Sequence, residues 1–163
     1  MENSEKTNPE KAPKNNYTLF FLMMGGSFVA MYITMYLNTY AIDHVYFSLT
    51  RLYMTCLGIA AMAVIMLSLM LKMYRNKKKN IAIYIGSLVL FVAAVVLVRA
   101  QKPIIGDVLW MKAMIPHHSI AILTSERADI KDPEVKKLAE DIIKAQRKEI
   151  EEMKTMIKRL EKK

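Results

Sequence analysis

The sequence predicts an all-α membrane protein, with three transmembrane helices followed by an extracytoplasmic antiparallel helical hairpin. Three observations carry this. Uncharged apolar runs occupy 17–37, 52–71 and 81–98, each within the roughly 17–25 residues a helix needs to cross a bilayer. Basic residues are concentrated in one of the two short connections. Beyond residue 107, apolar residues recur at helical spacing around one turn signal.

Residues 1–16 are polar, contain two prolines, and read as a disordered cytoplasmic tail. The run 17–37 is too long for the apolar part of a signal peptide, and no clear cleavage pattern follows it, so it reads as an anchor. Together the three runs make a transmembrane region over 17–99. Backbone groups in lipid must be paired within the segment, which makes each run a helix. Orientation follows from the loops. The second connection, "KMYRNKKKN", carries Lys72, Arg75, Lys77, Lys78 and Lys79, and the tail carries Lys6, Lys11 and Lys14. The first connection, "NTYAIDHVYFSLTR", holds one acid and one arginine. The N-terminus is therefore expected in the cytoplasm of a plasma (inner) membrane protein. The first loop and everything after Arg99 are expected outside, in a periplasm where there is one. The net charge of +9 is largely this asymmetry and calls for no nucleic acid. The lipid bilayer is the implied partner.

The lone cysteine, Cys56, lies in the second run, which excludes an internal disulfide and a thiolate metal site. Met62, Met66 and Met70, followed by Met73, form a stripe on the second span. It reads either as flexible apolar packing or as a thioether path for a soft cation. Tyr32, Tyr36 and Tyr40 form a second stripe, best read as an interfacial aromatic belt.

The domain over 107–163 follows a short linker, 101–106, that contains Pro103 and Gly106. Asp107 is the expected N-cap of a helix to about Ala128. Asp132 and Pro133 then mark the start of a second helix. Val135, Leu138, Ile142, Ile150, Met153, Ile157 and Leu160 give that helix one apolar stripe. Two helices alone make a poor core. The hairpin must pack on a second copy as a homodimeric four-helix bundle, on the membrane loop, or on the bilayer.

Candidate chemistry lies in "WMKAMIPHHSIAILTSER". Met111, Met114 and His118 share a helical face, flanked by His117. Pro116 takes a donor from the helix just before the histidines. Folding the hairpin at Lys131 places the histidines level with Lys144 and Ala145. Glu149, Met153 and Met156 then lie along the facing helix. Imidazole with thioether, and no cysteine, suits Cu(I). Zinc prefers cysteine, histidine or carboxylate, and a di-iron centre needs more carboxylates than this hairpin offers. Two readings stand: a metal site, or methionine packing with histidines capping groups freed by Pro116. His44, in "AIDHVYF", is expected on the same side of the membrane as the hairpin. It serves either as a further imidazole within reach of the linker or as a local partner of Asp43.

The segment "DVLWMKAMIPHHSIAILTSERADIKDPEVKKLAEDIIKAQRKEIEEM" resembles the domain-of-unknown-function 305 family, a ferritin-like helical group, over about 107–157. "MYLNTYAIDHVYFSLTR" resembles its membrane-anchored members. The resemblance implies half of a ferritin-like four-helix bundle and a link to copper handling. It carries Met111, Met114, His117, His118 and Met153 as ligands and implies no enzymatic activity. Many members place a methionine shortly after the histidine pair, where this chain has Leu123 and Thr124. The functional expectation is Cu(I) sequestration or hand-over to a copper-handling partner, with a copper ion as the bound group. The rivals are a metal-free interaction protein whose hairpin dimerises and a copper-dependent oxidoreductase.

Overall fold

The computed structural model describes residues 16–162. Among them are five α-helices, one short 3-10 turn and no strand: α1 (Asn16–Thr34), η1 (Ile42–His44), α2 (Leu49–Leu69), α3 (Lys77–Ala100), α4 (Asp107–Arg127) and α5 (Pro133–Leu160). The tail expected over 1–16 lies outside the described residues except Asn16, which opens α1.

By length and composition, α1, α2 and α3 are each apolar enough to cross a membrane. Their ends differ from the apolar runs because polar caps carry the helices further. The Ser48 hydroxyl accepts from the Arg51 amide and starts α2 at Leu49. The Asn76 side chain accepts from the Lys79 amide, so α3 begins among the lysines at Lys77. In α1 the helix stops at Thr34. The chain beyond it winds in shorter turns, with Tyr36 donating to Ile33 and Leu37 to Thr34.

Helix α2 packs against both α1 and α3. Phe20, Met24, Ile59, Ala63, Leu67 and Tyr74 form the buried cluster of this part. At the lysine-rich end, Tyr17 donates to Asn80, and Asn80 donates to the Tyr74 carbonyl, which fastens α1 to the α2–α3 connection. Of the methionine stripe, Met66 and Met70 pack on this cluster, while Met62 and Met73 are exposed.

Helices α4 and α5 pack on each other, and two ion pairs fix them antiparallel. Lys112 meets Glu161 at 2.5 Å, and Glu126 meets Arg147 at 2.5 Å. Asp132 caps α5 by accepting from the amides of Glu134 and Val135, a contact of about 1 kcal/mol. Asp107, expected as the cap of α4, is instead its first helical residue. Gly106 holds the cap position without a side-chain bond. Helix α4 runs unbroken through Pro116.

The buried cluster of the pair is Met111, Ile115, Ile122, Ile150, Met153 and Ile157. The apolar stripe expected on α5 is therefore used only in its second half, and Val135 and Leu138 stay exposed. The first turns of α5 overhang the end of α4. We expect Ile122→Ala, which opens a cavity at a fully buried position, to cost about 2–5 kcal/mol of stability. Leu138→Ala should stay within about 0.5 kcal/mol. Denaturant unfolding of both variants in detergent micelles, followed by circular dichroism, checks the contrast.

Candidate functional site

Three consecutive residues of α4 point in three directions, because each step along an α-helix turns about 100°. His118 faces α5, where its Nε2 lies 2.7 Å from Glu149 Oε2. Ser119, fully buried, faces the loop between α1 and α2. His117 is exposed and lines a cavity of about 240 Å³ with Met114, Trp110 and Arg51. The two imidazoles, adjacent in sequence, thus diverge, with centroids 6.0 Å apart and planes at 68°.

The His118 ring has a fixed orientation. Its Nδ1 is 2.9 Å from the Met114 carbonyl oxygen. A carbonyl can only accept, so Nδ1 donates to it, and Nε2 is the atom turned to Glu149, whose carboxylate also accepts, so the 2.7 Å contact needs a proton between the two. The carbonyl relieved by Pro116 is that of Lys112, four residues before it, and His118 bonds a different one. The partner across the helices is Glu149, five positions beyond the expected Lys144. The overhang of α5 accounts for this shift of more than one turn.

Met111 and Met153 lie in the buried cluster, and Met114 packs against its edge. Met114 precedes His118 by one turn and Met153 follows Glu149 by one turn, so two thioethers lie a turn below the His118–Glu149 pair, and Met111 lies a further turn down. Met156 is exposed and lines a cavity with Met111, Trp110 and Arg159. Among the described residues, no three His, Cys, Asp or Glu side chains converge as a metal site. A soft-metal reading therefore depends on sulfur.

His44 is not confined to its own loop. It is buried against α4, with Nδ1 2.9 Å from Ser119 Oγ. The same oxygen accepts the Tyr40 amide at 2.8 Å. The hydroxyl, with one proton and a second lone pair still free, can pair with either tautomer of His44 at Nδ1. Around this point the loop grips both helices. Asp43 meets Lys154 at 2.6 Å, Arg147 donates to the Tyr40 hydroxyl at 3.1 Å, and Tyr40 and Tyr46 pack on the buried cluster. Tyr36 donates to the Tyr46 carbonyl and receives Tyr32, with the Arg51 guanidinium 4.3 Å above its ring. Tyr32 and Tyr36 keep the expected stripe, but Tyr40 leaves it for the helix pair.

The electrostatics fit this grip. The Lys154 bond holds the Asp43 carboxyl below its ordinary range. Burial works against the Lys154 ammonium, but Asp43 and Glu151 outweigh it and its pKa rises. Burial, together with the Tyr32 bond, pushes Tyr36 up to about 12. Burial lowers the pKa of His44, against the attraction of Asp43 and Glu151 and with the repulsion of Lys154 and Arg147. Ser119, Lys154 and Arg147 had no role in the sequence reading. The available signal was a serine among the apolar positions of α4, four residues after Ile115.

Two outcomes follow for the grip. Ser119→Ala strands the Tyr40 amide and should cost about 1–3 kcal/mol. A depressed histidine pKa means that the folded chain takes up fewer protons than the unfolded one. Stability is then full above about pH 6.5 and falls as pH drops through the lower folded value. Melting curves across that range should slope downward for the wild type and flatten for His44→Asn, which keeps the acceptor without the titration.

The domain of unknown function (DUF305) matches residues 99–163. An uncharacterized protein of Acanthamoeba polyphaga mimivirus is 36% identical over 145 residues, covering 87% of this chain and 93% of the viral protein. No solved structure is significantly similar. The similarity to the viral protein runs through the apolar helices as well as the domain, and the chain belongs to the DUF305 family.

Proposed function

We propose that this chain is a membrane-anchored, extracytoplasmic Cu(I)-binding protein, with His118 as the principal ligand. The observation that carries the reading is the locked His118 ring. A metal-binding histidine commonly donates one ring N–H to a carbonyl, leaving the other nitrogen as ligand. His118 does so through Nδ1, and copper at Nε2 would replace the proton that this nitrogen shares with Glu149 across the helix pair. The thioethers of Met114 and Met153, with Met111 behind them, supply soft donors within a turn. Copper bound there would gain thioether and imidazole ligation, with Glu149 balancing its charge. His117 is a weaker ligand in this reading, because it is exposed and faces a cavity lined by the cationic Arg51 rather than the carboxylate. His44 is occupied by Ser119, and Met156 is exposed, about two turns along α5 from Glu149. Sequestration, or hand-over to a partner protein, suits a site with no assembled reaction chemistry.

Cu(I) titration of the detergent-solubilised full chain against a chromophoric chelator tests this. His118→Ala should weaken binding by more than the about 10–100-fold typical of a supporting residue. Glu149→Gln should fall within that range, and His117→Ala should matter less than His118→Ala. Unchanged affinity in His118→Ala with intact helicity removes the reading.

The membrane orientation belongs to the same proposal. The basic connection after α2 is taken as cytoplasmic and the helix pair as extracytoplasmic, by the excess of lysine and arginine at that end. A reporter active only outside the cytoplasm, fused after Lys163, should be active.

A second reading is favoured by burial. Met111 and Met153 are packed among isoleucines, while Val135 and Leu138 on the overhang remain exposed. In that reading the methionines are core, and two copies pair through the first turns of α5 with no metal. Copper-independent dimers in detergent, lost in Leu138→Glu, would favour it.

A further inference from the structure

The junction of α3 with the helix pair holds an open cavity of about 610 Å³. Arg99, at the last turn of α3, Lys102 in the linker and Arg159 near the end of α5 all line it. All three are exposed, and among the described residues none makes an ion pair. Asp107 is the acid at its edge, which leaves an excess of positive charge. Apart from Gln101, the rest of the wall is apolar and contains Trp110, Met156 and Leu160.

The cavity continues an exposed apolar stripe. Val92 and Val96 are more than half exposed and lie on the same face of α3 as Arg99, at i, i+4 and i+7. A chain lying along that stripe arrives at the cations at its upper end. Free phosphate would use the cations and leave the apolar wall idle, whereas a phospholipid uses both. Cations at the end of a span attract anionic headgroups, and tryptophan favours the same depth.

We propose that this junction binds an anionic phospholipid, its headgroup phosphate held by Arg99, Lys102 and Arg159 and the adjoining acyl chain lying on Trp110, Met156 and the α3 stripe. The lysines at the other end of α3 face the opposite leaflet and take no part. The proposal rests on the membrane reading of α1, α2 and α3 and is independent of copper.

Trp110 is the only tryptophan in the chain, so its fluorescence reports the junction it lines, and substituting Arg99, Lys102 and Arg159 separates this cavity from the smaller one on its other side. The full chain is reconstituted in bilayers of phosphatidylcholine and phosphatidylglycerol, with bromine on the chains of one lipid at a time. Brominated phosphatidylglycerol should quench Trp110 in clear preference to brominated phosphatidylcholine at equal mole fraction. Each cation near a surface is worth about fivefold. Arg99→Gln with Arg159→Gln should therefore bring the two lipids close to parity, and Lys102→Gln should lower the preference by about fivefold. Lys77→Gln with Lys79→Gln should leave it unchanged. Equal quenching in the wild type, or a preference that survives Arg99→Gln with Arg159→Gln, overturns the site. A preference abolished by inorganic phosphate, but not by chloride of the same ionic strength, overturns the lipid in favour of a free anion. Absence of quenching by either lipid would instead show that the helices do not insert, and the membrane reading fails with the proposal.

Discussion

The helix pair depends on one buried oxygen. Ser119 Oγ accepts the Tyr40 amide and bonds His44, and so joins α4 to the loop between α1 and α2. Two helices of this size bury too little apolar surface to stand alone. The loop supplies the missing cover with Tyr40 and Tyr46, and Asp43 and Tyr40 extend the grip to Lys154 and Arg147 on α5. A buried amide or hydroxyl left unpaired is costly. The loop must therefore seat in one register or lose most of its polar contacts together. The same contacts tie the pair to α1 and α2, because Tyr46 is held by Tyr36 and Tyr36 is stacked under Arg51.

The parts of this fold legible in the sequence are those set by local rules. Three uncharged runs give three long apolar helices, since length and composition decide that question alone. Asp132 followed by Pro133 gives the start of α5, because a cap and a proline act within one turn. Ser48 and Asn76 act just as locally, but they stand outside the apolar runs, so reading by hydropathy misses the extra turns they add. The asymmetry of α5 is harder to read. Its stripe is regular from Val135 to Leu160, yet α4 covers only the later part. Periodicity says which face is apolar and not where the partner helix stops.

The candidate residues can be picked out from the sequence, but their arrangement cannot. Adjacent histidines look like a pair on paper, but a helix turns about 100° between them and sends them to different neighbours. His118 keeps company with Glu149, and His117 with Arg51. The cross-helix register was displaced because the fold point was read as the centre of the turn, with both helices assumed to start level. The contact between His44 and α4 spans 75 positions. The linker length made that meeting feasible, but nothing local selected Ser119 as the partner.

The pattern of fixed and free donors bears on which ion the pair could hold. A hard cation needs several converging oxygens, and zinc needs a closed set of nitrogen, sulfur or carboxylate ligands. Neither arrangement exists among the described residues. What α4 and α5 do bring together is one imidazole held by a main-chain carbonyl and one carboxylate, with thioethers in and against the apolar core one to two turns away. Thioethers discriminate by softness, and they leave hard cations in water. An apolar surround strengthens that bias, because hydrated ions lose more on entering it than a soft ion gaining sulfur. On the proposed reading, Met111 and Met153 would serve both the core of the helix pair and a soft ion, and the two demands are compatible at these positions.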